Sequence, residues 1–401
     1  MNKVGVLTHC IANNFGANLQ ALSTALYLKQ HGYTPIFFCW DDYLKKRSAK
    51  MNEQQLEIHR LFLRRHGIEV SKPCSSPYDF KKVIEENNIS DILVGSDAIL
   101  TISSWLDRIS ISRKGIRFNI IAEDRKFPNP FWIPFAEFVP NCHFYYLSPS
   151  CQSSNYKFLS QSVLRKMRVQ MERFDYICAR DTCTKEMIEY VMKKKDIVPI
   201  TPDPVWGALS NFKEIPSKDY ILAKYGIQSN YMLASFYRGT AVSSLWLDGI
   251  RRLARKDCIE LYSLPMPQGH FSSNLPRIEL PVDPMDWFAL IRYSKGYIGN
   301  NMHPIIVSMV NRVPFFSIDH HGKRFMLFHF EKTSKVYDLL KRFDLLDFRI
   351  KQPLAESLSP SEVYGKLKRF PIDSIDSVAK KMENDYMIMM QTICNMFNET
   401  E

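Results

Sequence analysis

The stretch KVGVLTHCIANNFGANLQALSTALYLKQHGYTPIFF, residues 3–38, decides how the rest of the chain is read. Val4-Gly5-Val6-Leu7 is an uninterrupted apolar run, short enough for a strand buried on both faces. A polar loop follows from His9 to Phe15. Leu19, Leu22 and Leu26 then recur at helical spacing, and Gly32 supplies the residue that ends the helix. Pro35-Ile36-Phe37-Phe38 begins the next strand. Strand, helix and strand at this spacing form one βαβ unit, which makes the two strands parallel.

The alternation continues outward from this unit. Ser76-Pro77 opens a helix carrying Val83 and Ile84, followed by the strand Asp91-Ile92-Leu93-Val94. Tyr145-Tyr146-Leu147 and Tyr176-Ile177-Cys178 read as further strands, with helices around Leu164 to Glu172 and Thr184 to Lys195. Periodicity lapses between about Gly207 and Asp219, and a second alternation then begins. It contains strands at Tyr231 to Phe236, Ile259 to Tyr262, Gly296 to Gly299 and Val313 to Ile318. The expected fold class is α/β, with two doubly wound domains facing a cleft. Residues 1–210 form the first domain, 211–345 the second and 346–401 a helical extension. Ser359-Pro360-Ser361-Glu362 is a capping box in that extension. The apolar stripe Val378, Met382, Met389, Ile393 and Met396 predicts that the C-terminal helices pack back onto the body.

Composition narrows the function classes. The 401 residues include 53 Lys and Arg against 42 Asp and Glu, a net charge of +11. That balance favours an anionic partner. The cations are scattered in short groups such as Lys45-Lys46-Arg47 and Lys193-Lys194-Lys195. No dense basic arm, zinc finger or aromatic RNA signature is present, so nucleic acid is not the expected partner. Nine cysteines without C-x-x-C spacing indicate neither a structural zinc site nor a disulfide framework. No apolar run approaches the ~20 residues that span a bilayer, and the N-terminus reads as strand, not signal peptide. A cytoplasmic protein is expected, with basic faces able to rest on an anionic inner membrane surface.

In open α/β sheets ligands bind beyond the carboxyl ends of the strands, so the chemistry is sought in loops that follow strands. The first loop offers Asn14, Gly16, Asn18 and Gln20, and lacks both glycine fingerprints for nucleotides. Its amides suit sugar hydroxyls, or else they serve the turn. Asp97 in Gly95-Ser96-Asp97 is placed to accept a proton or to cap a helix. Arg180 and Arg238, each directly after a strand, can grip a carboxylate or phosphate through a planar fork. His270 is a further ligand-contact candidate. Asn300, Asn301 and His303 lie between a strand and a short helix, where an imidazole can meet an anion as a general acid. In His320-His321-Gly322-Lys323-Arg324 the adjacent histidines point apart, which suits a metal poorly, so Lys323 and Arg324 serve as anion contacts or the stretch is simply a solvated loop. No metal and no cofactor are expected.

Taken in order, these loops resemble the polysaccharide pyruvyl transferase family. The resemblance runs through NNFGANLQALSTAL, DILVGSD, YICARD, TPDP, DWFALIRYSKGYIGNNMH and NRVPFFSID, across most of residues 3–319. It lapses between Thr101 and Phe144. The resemblance implies two Rossmann-like domains in a GT-B-like arrangement and transfer of the pyruvyl group of phosphoenolpyruvate to a sugar as a cyclic ketal. It implies His303 as the acid, with Asn300 and Asn301 orienting it. Arg180 and Arg238 would hold the donor, and Asn14, Gly16, Asn18 and Gln20 would meet the acceptor sugar, lipid-linked or free. Two other readings share the architecture: a glycosyltransferase using a nucleotide sugar, and a non-catalytic carbohydrate-binding protein.

Overall fold

The computed structural model describes residues 2–40, 52–112, 115–152, 154–236, 242–320, 322–325 and 328–399. The opening motif forms as read. Strand β1 (Lys3–Leu7) leads through a capped loop into helix α1 (Phe15–Gln30) and strand β2 (Thr34–Trp40). Asn14 is the N-cap, its side chain accepting from the Gly16 and Ala17 N–H groups. Strands β3 (Glu69–Cys74) and β4 (Asp91–Asp97) follow, then the antiparallel hairpin β5 (Ile109–Ser112) and β6 (Gly115–Phe118), then β7 (His143–Pro149). The first sheet is parallel throughout in the order β3-β2-β1-β4-β7. β3 was not apparent from its sequence. Among the described residues it is an edge strand paired with β2 alone, which explains how it tolerates Pro73 and exposed polar residues.

The second sheet is built from β8 (Tyr231–Ser235), β9 (Glu260–Ser263), β10 (Tyr297–Gly299) and β11 (Phe315–Asp319). A small hairpin, β12 (Lys323–Phe325) with β13 (Phe328–Phe330), precedes the outer strand β14 (Arg349–Lys351). Its order is β14-β11-β10-β8-β9, again parallel. β14 lies past residue 345, in the stretch read as a helical extension, and completes the sheet as a three-residue edge. Tyr176-Ile177-Cys178 is not a strand: only isolated bridges, Tyr145 to Tyr176 and Ala179 to Ile200, continue the ladder there.

α1 shows why its leucine face understates its burial. It is covered on nearly every side from Phe15 to Ala25, because the second half packs against the face turned away from the first sheet. Phe15 stacks on Trp287 at 5.1 Å. Within the first half, Ser23 donates to the Pro204 carbonyl at 2.7 Å. A single apolar cluster containing Phe15, Leu22, Trp206, Trp287, Met302 and Ile393 therefore runs through both halves. Each such large side chain contributes about 1.5–3 kcal/mol on burial. Gln55 adds a pair of buried hydrogen bonds to the Val282 backbone, at 2.7 and 2.8 Å, across the same boundary.

The capping box at Ser359 and Glu362 starts the helix Pro360–Lys368. The last helix, Ile372–Glu399, begins on the second half, where Asp376 accepts from Arg312 Nε at 2.8 Å. It ends on the first, with Phe397 against Tyr33 and Tyr145. Met382, Met389 and Ile393 are buried along it and Val378 and Met396 partly so, which is the return packing that the stripe predicted. Among the described residues no helix is long and apolar enough to cross a membrane.

Candidate active site

The carboxyl ends of the two sheets face a polar cleft of about 350 Å³ lined from both halves. On the first half, β4 brings Asp97 to its wall. The approach is tight: a Cβ on Gly95, whose φ is +139°, would lie 2.2 Å from the Leu147 carbonyl oxygen. Only glycine fits there. Behind Asp97 sits Arg180, 2% exposed. Its guanidinium meets Asp203 at 2.9 Å through Nη1 and Asp97 at 3.8 Å through Nη2, while Nε has no hydrogen-bond partner among the described residues. Asp203 in turn accepts from the Val205 N–H and the Gln20 amide, which anchors it to the turn Pro204–Gly207 and to α1.

The second half contributes His303, in the first turn of the helix Met302–Val310. Its Nε2 lies 3.7 Å from Asp203 and makes no hydrogen bond among the described residues. Gly16 packs directly on the ring, because a Cβ there would fall 2.0 Å from His303 Cγ. The N-termini of α1 and of Met302–Val310 thus converge on one imidazole. Both helix dipoles present their positive ends there, the arrangement that attracts anions. Lys335, first residue of the helix Lys335–Arg342, lines the same cleft. That helix is bound to the first half through Asp338, which accepts from Thr182 Oγ1 at 2.6 Å.

Protonation follows from burial and charge. Burial lowers the His303 pKa below its ordinary value, with Asp203 and Asp97 opposing the shift, so the resting imidazole is neutral. Burial, reinforced by Arg180, also lowers the Lys335 ammonium. For Asp97 burial acts upward, but His303, Arg180, His9 and Lys335 outweigh it and hold the carboxyl well below the usual range. A ligand bringing two or three negative charges would raise both His303 and Lys335, making the imidazole a proton donor when occupied and not before.

The structure brings Asn14, Gly16, Asp97, Asn301 and His303 into the cleft wall. Others read as ligand contacts are turned away. Asn18 donates to the Ala12 and Asn14 carbonyls, both at 2.8 Å, and so shapes the loop instead of facing a sugar. Gln20 faces Asp203, and Arg180 is sealed behind Asp97. Asn300 is buried against β8, its N–H directed to the Ser235 carbonyl at 3.4 Å. His270 pairs with Ser263 at 2.7 Å outside the wall, although its neighbours Pro267 and Gln268 line it. Of Lys323 only the backbone, in β12, is described, and Arg238 lies outside the described residues. Lys335, Asp203, Arg125, Gln152 and Trp287 were not singled out in the sequence. Asp203 stands in the quoted TPDP, and nothing local marks Lys335.

Residues 14–322 match the polysaccharide pyruvyl transferase family. The chain belongs to that family. The match begins at the α1 N-cap and takes in Asp97, Arg180, Asp203 and His303, whereas Lys335 lies beyond it. No curated protein matches the sequence. Among solved structures, the chain is similar to UDP-GlcNAc 2-epimerase from Neisseria meningitidis bound to UDP-GlcNAc, at 12% identity and a TM-score of 0.52, covering 98% of this chain and 100% of that one. It is likewise similar to UDP-GlcNAc 2-epimerase from Methanocaldococcus jannaschii, at 8% identity and a TM-score of 0.52, covering 93% of both. These likenesses show the fold, a GT-B-type pair of Rossmann-like halves, here carried by a member of a pyruvyl transferase family.

Proposed function

We propose that this family member transfers the pyruvyl group of phosphoenolpyruvate onto two hydroxyls of one sugar, closing a cyclic ketal. The observation that carries the reading is the meeting of two helix N-termini, Lys335 and a neutral His303 over an ionised Asp97. Phosphate and carboxylate of the donor would take the positive ends and the ammonium. Their charge raises His303, which then gives its proton to the donor's methylene carbon. A sugar hydroxyl adds to the central carbon as its proton passes to Asp97. Phosphate departs with the proton that Asp97 took up, the second hydroxyl adds to the same carbon, and its proton restores His303 as the acid. The products are the ketal and inorganic phosphate, with the two hydroxyl protons balancing the new methyl hydrogen and the phosphate. Arg180 and Asp203 fix Asp97 and His303 and do not touch the donor in this scheme.

Donor binding tests it by thermal shift, with phosphoenolpyruvate set against a panel of nucleotide sugars. A donor present at a hundred times its Kd stabilises the fold by about 2.7 kcal/mol. We expect phosphoenolpyruvate alone to do so, and Lys335→Met to abolish the shift. The fold likeness to an epimerase bound to UDP-GlcNAc supplies the second reading, glycosyl transfer. Stabilisation by a nucleotide sugar and not by phosphoenolpyruvate would establish it, and silence from both would favour carbohydrate binding without catalysis.

A further inference from the structure

Thr101 and Arg125 both line the cleft, and between them the chain runs out as the β5–β6 hairpin. Its base is pinned. Ser103 N–H donates to the Arg125 carbonyl at 3.0 Å, and Asn119 N–H to the Arg108 carbonyl at 2.8 Å. Asp107 tightens the same turn by accepting from Ser104 N–H and Oγ and from Asn155. Around this ordered base, Trp105, Phe118 and Ile120 are 63%, 83% and 100% exposed. The register pairing Ile109 with Phe118 sets all three at the open end of the hairpin.

Large apolar side chains left uncovered in a group mark a surface that meets something. Charge decides what. Residues 105–120 carry Arg108, Arg113, Lys114 and Arg117 against the single carboxylate of Asp107, which is already engaged. Exposed apolar residues for insertion, in a sequence segment of net positive charge, are what an anionic bilayer surface accepts. A second copy of this chain would bring the same cations and a net charge of +11 to the contact, which opposes self-association there.

We propose that the β5–β6 hairpin seats the protein on an anionic membrane surface and so holds the cleft beside a membrane-held sugar acceptor. The acceptor clause rests on the pyruvyl transfer reading, while the membrane contact stands on the hairpin alone. Each large side chain inserted strengthens partition roughly tenfold or more, and each nearby cation about fivefold.

The test is flotation of the full chain with vesicles of phosphatidylcholine, with and without about one third phosphatidylglycerol. Binding is expected only to the anionic vesicles and weakens with salt. The combined Trp105→Ser, Phe118→Ser and Ile120→Ser variant should bind at least tenfold more weakly, with an unchanged melting temperature and an unchanged shift with phosphoenolpyruvate. Absence of wild-type binding, or full binding by the triple variant, overturns the proposal. A dimer lost in that variant without vesicle binding also overturns it, in favour of a second copy. Because the donor shift is read without vesicles, failure of the donor reading and failure of the membrane reading are separate results.

Discussion

Two inner strands, one in each sheet, end alike and are equipped differently. β4 ends in Gly95-Ser96-Asp97, and β10 runs into Gly299-Asn300-Asn301. A side chain on either glycine would strike neighbouring atoms, the Leu147 carbonyl at 2.2 Å or Tyr297 Oη at 2.0 Å. Beyond the glycine the halves diverge. The first half surrounds its carboxylate with a sunken lattice in which Asp203 binds both Arg180 and Gln20. The second half presents groups at the cleft itself: His303, whose Nε2 has no hydrogen-bond partner among the described residues, and Lys335. The first wall is a framework around one reacting carboxylate and the second carries the donor-facing groups, so substitutions in the framework and on the second wall should differ in what they change.

The largest effect is expected at Asp203. Asp203→Ala leaves the Arg180 charge buried without its 2.9 Å partner, a loss of about 3–5 kcal/mol in unfolding free energy measured with denaturant. A cost below about 1 kcal/mol would break the contrast, since the lattice would then hold nothing. His303→Gln is the opposite case. Stability should move by less than about 1 kcal/mol, while phosphate release from phosphoenolpyruvate with an acceptor sugar falls about 10²–10⁴-fold. Retained turnover would move the chemistry to the other wall.

Acid sharpens the comparison further. His59, wholly buried in the first half between the Asn18 and Gln55 amides, has its pKa pushed down by burial to about 3. The unfolded chain takes that proton near pH 6.5, so the stabilisation is complete above 6.5 and is lost as pH falls from there towards 3. Between pH 7 and 5 the loss from this residue is about 2 kcal/mol. The lowered His303 adds to it with the same sign. A flat stability profile over that window would show that His59 titrates freely and the framework is porous. The smallest effect belongs to the joint between the halves. Asp338→Ala removes the bond to Thr182 and should cost about 0.5–1.5 kcal/mol. The displaced Lys335 helix should also weaken the thermal shift with phosphoenolpyruvate.

The first βαβ motif and the strand ends were legible because period and punctuation are local properties of a chain. His303 and Asp97 could be placed in a cleft for the same reason: each directly follows a strand. The orientation of Gln20 was not legible, since its partner Asp203 is 183 residues away. Asn18 looked like a sugar contact because an asparagine in a loop reads the same whether it faces a ligand or its own backbone. Lys335 carried no mark, as its role comes from the helix beneath it being docked on Thr182 of the other half. Tyr176-Ile177-Cys178 had strand composition, yet beyond β7 the ladder is down to single bridges.

The long helix Ile372–Glu399 has a consequence for synthesis. Tyr33, Tyr145 and Tyr27 belong to the first part of the chain to emerge from the ribosome, yet Phe397 and Tyr386, which cover them, come almost last. The first sheet must therefore wait, with part of its aromatic surface wet, while the second half is made and folded. Translation order and assembly order run opposite ways here. The interval between them is when a nascent chain of this protein most needs a chaperone.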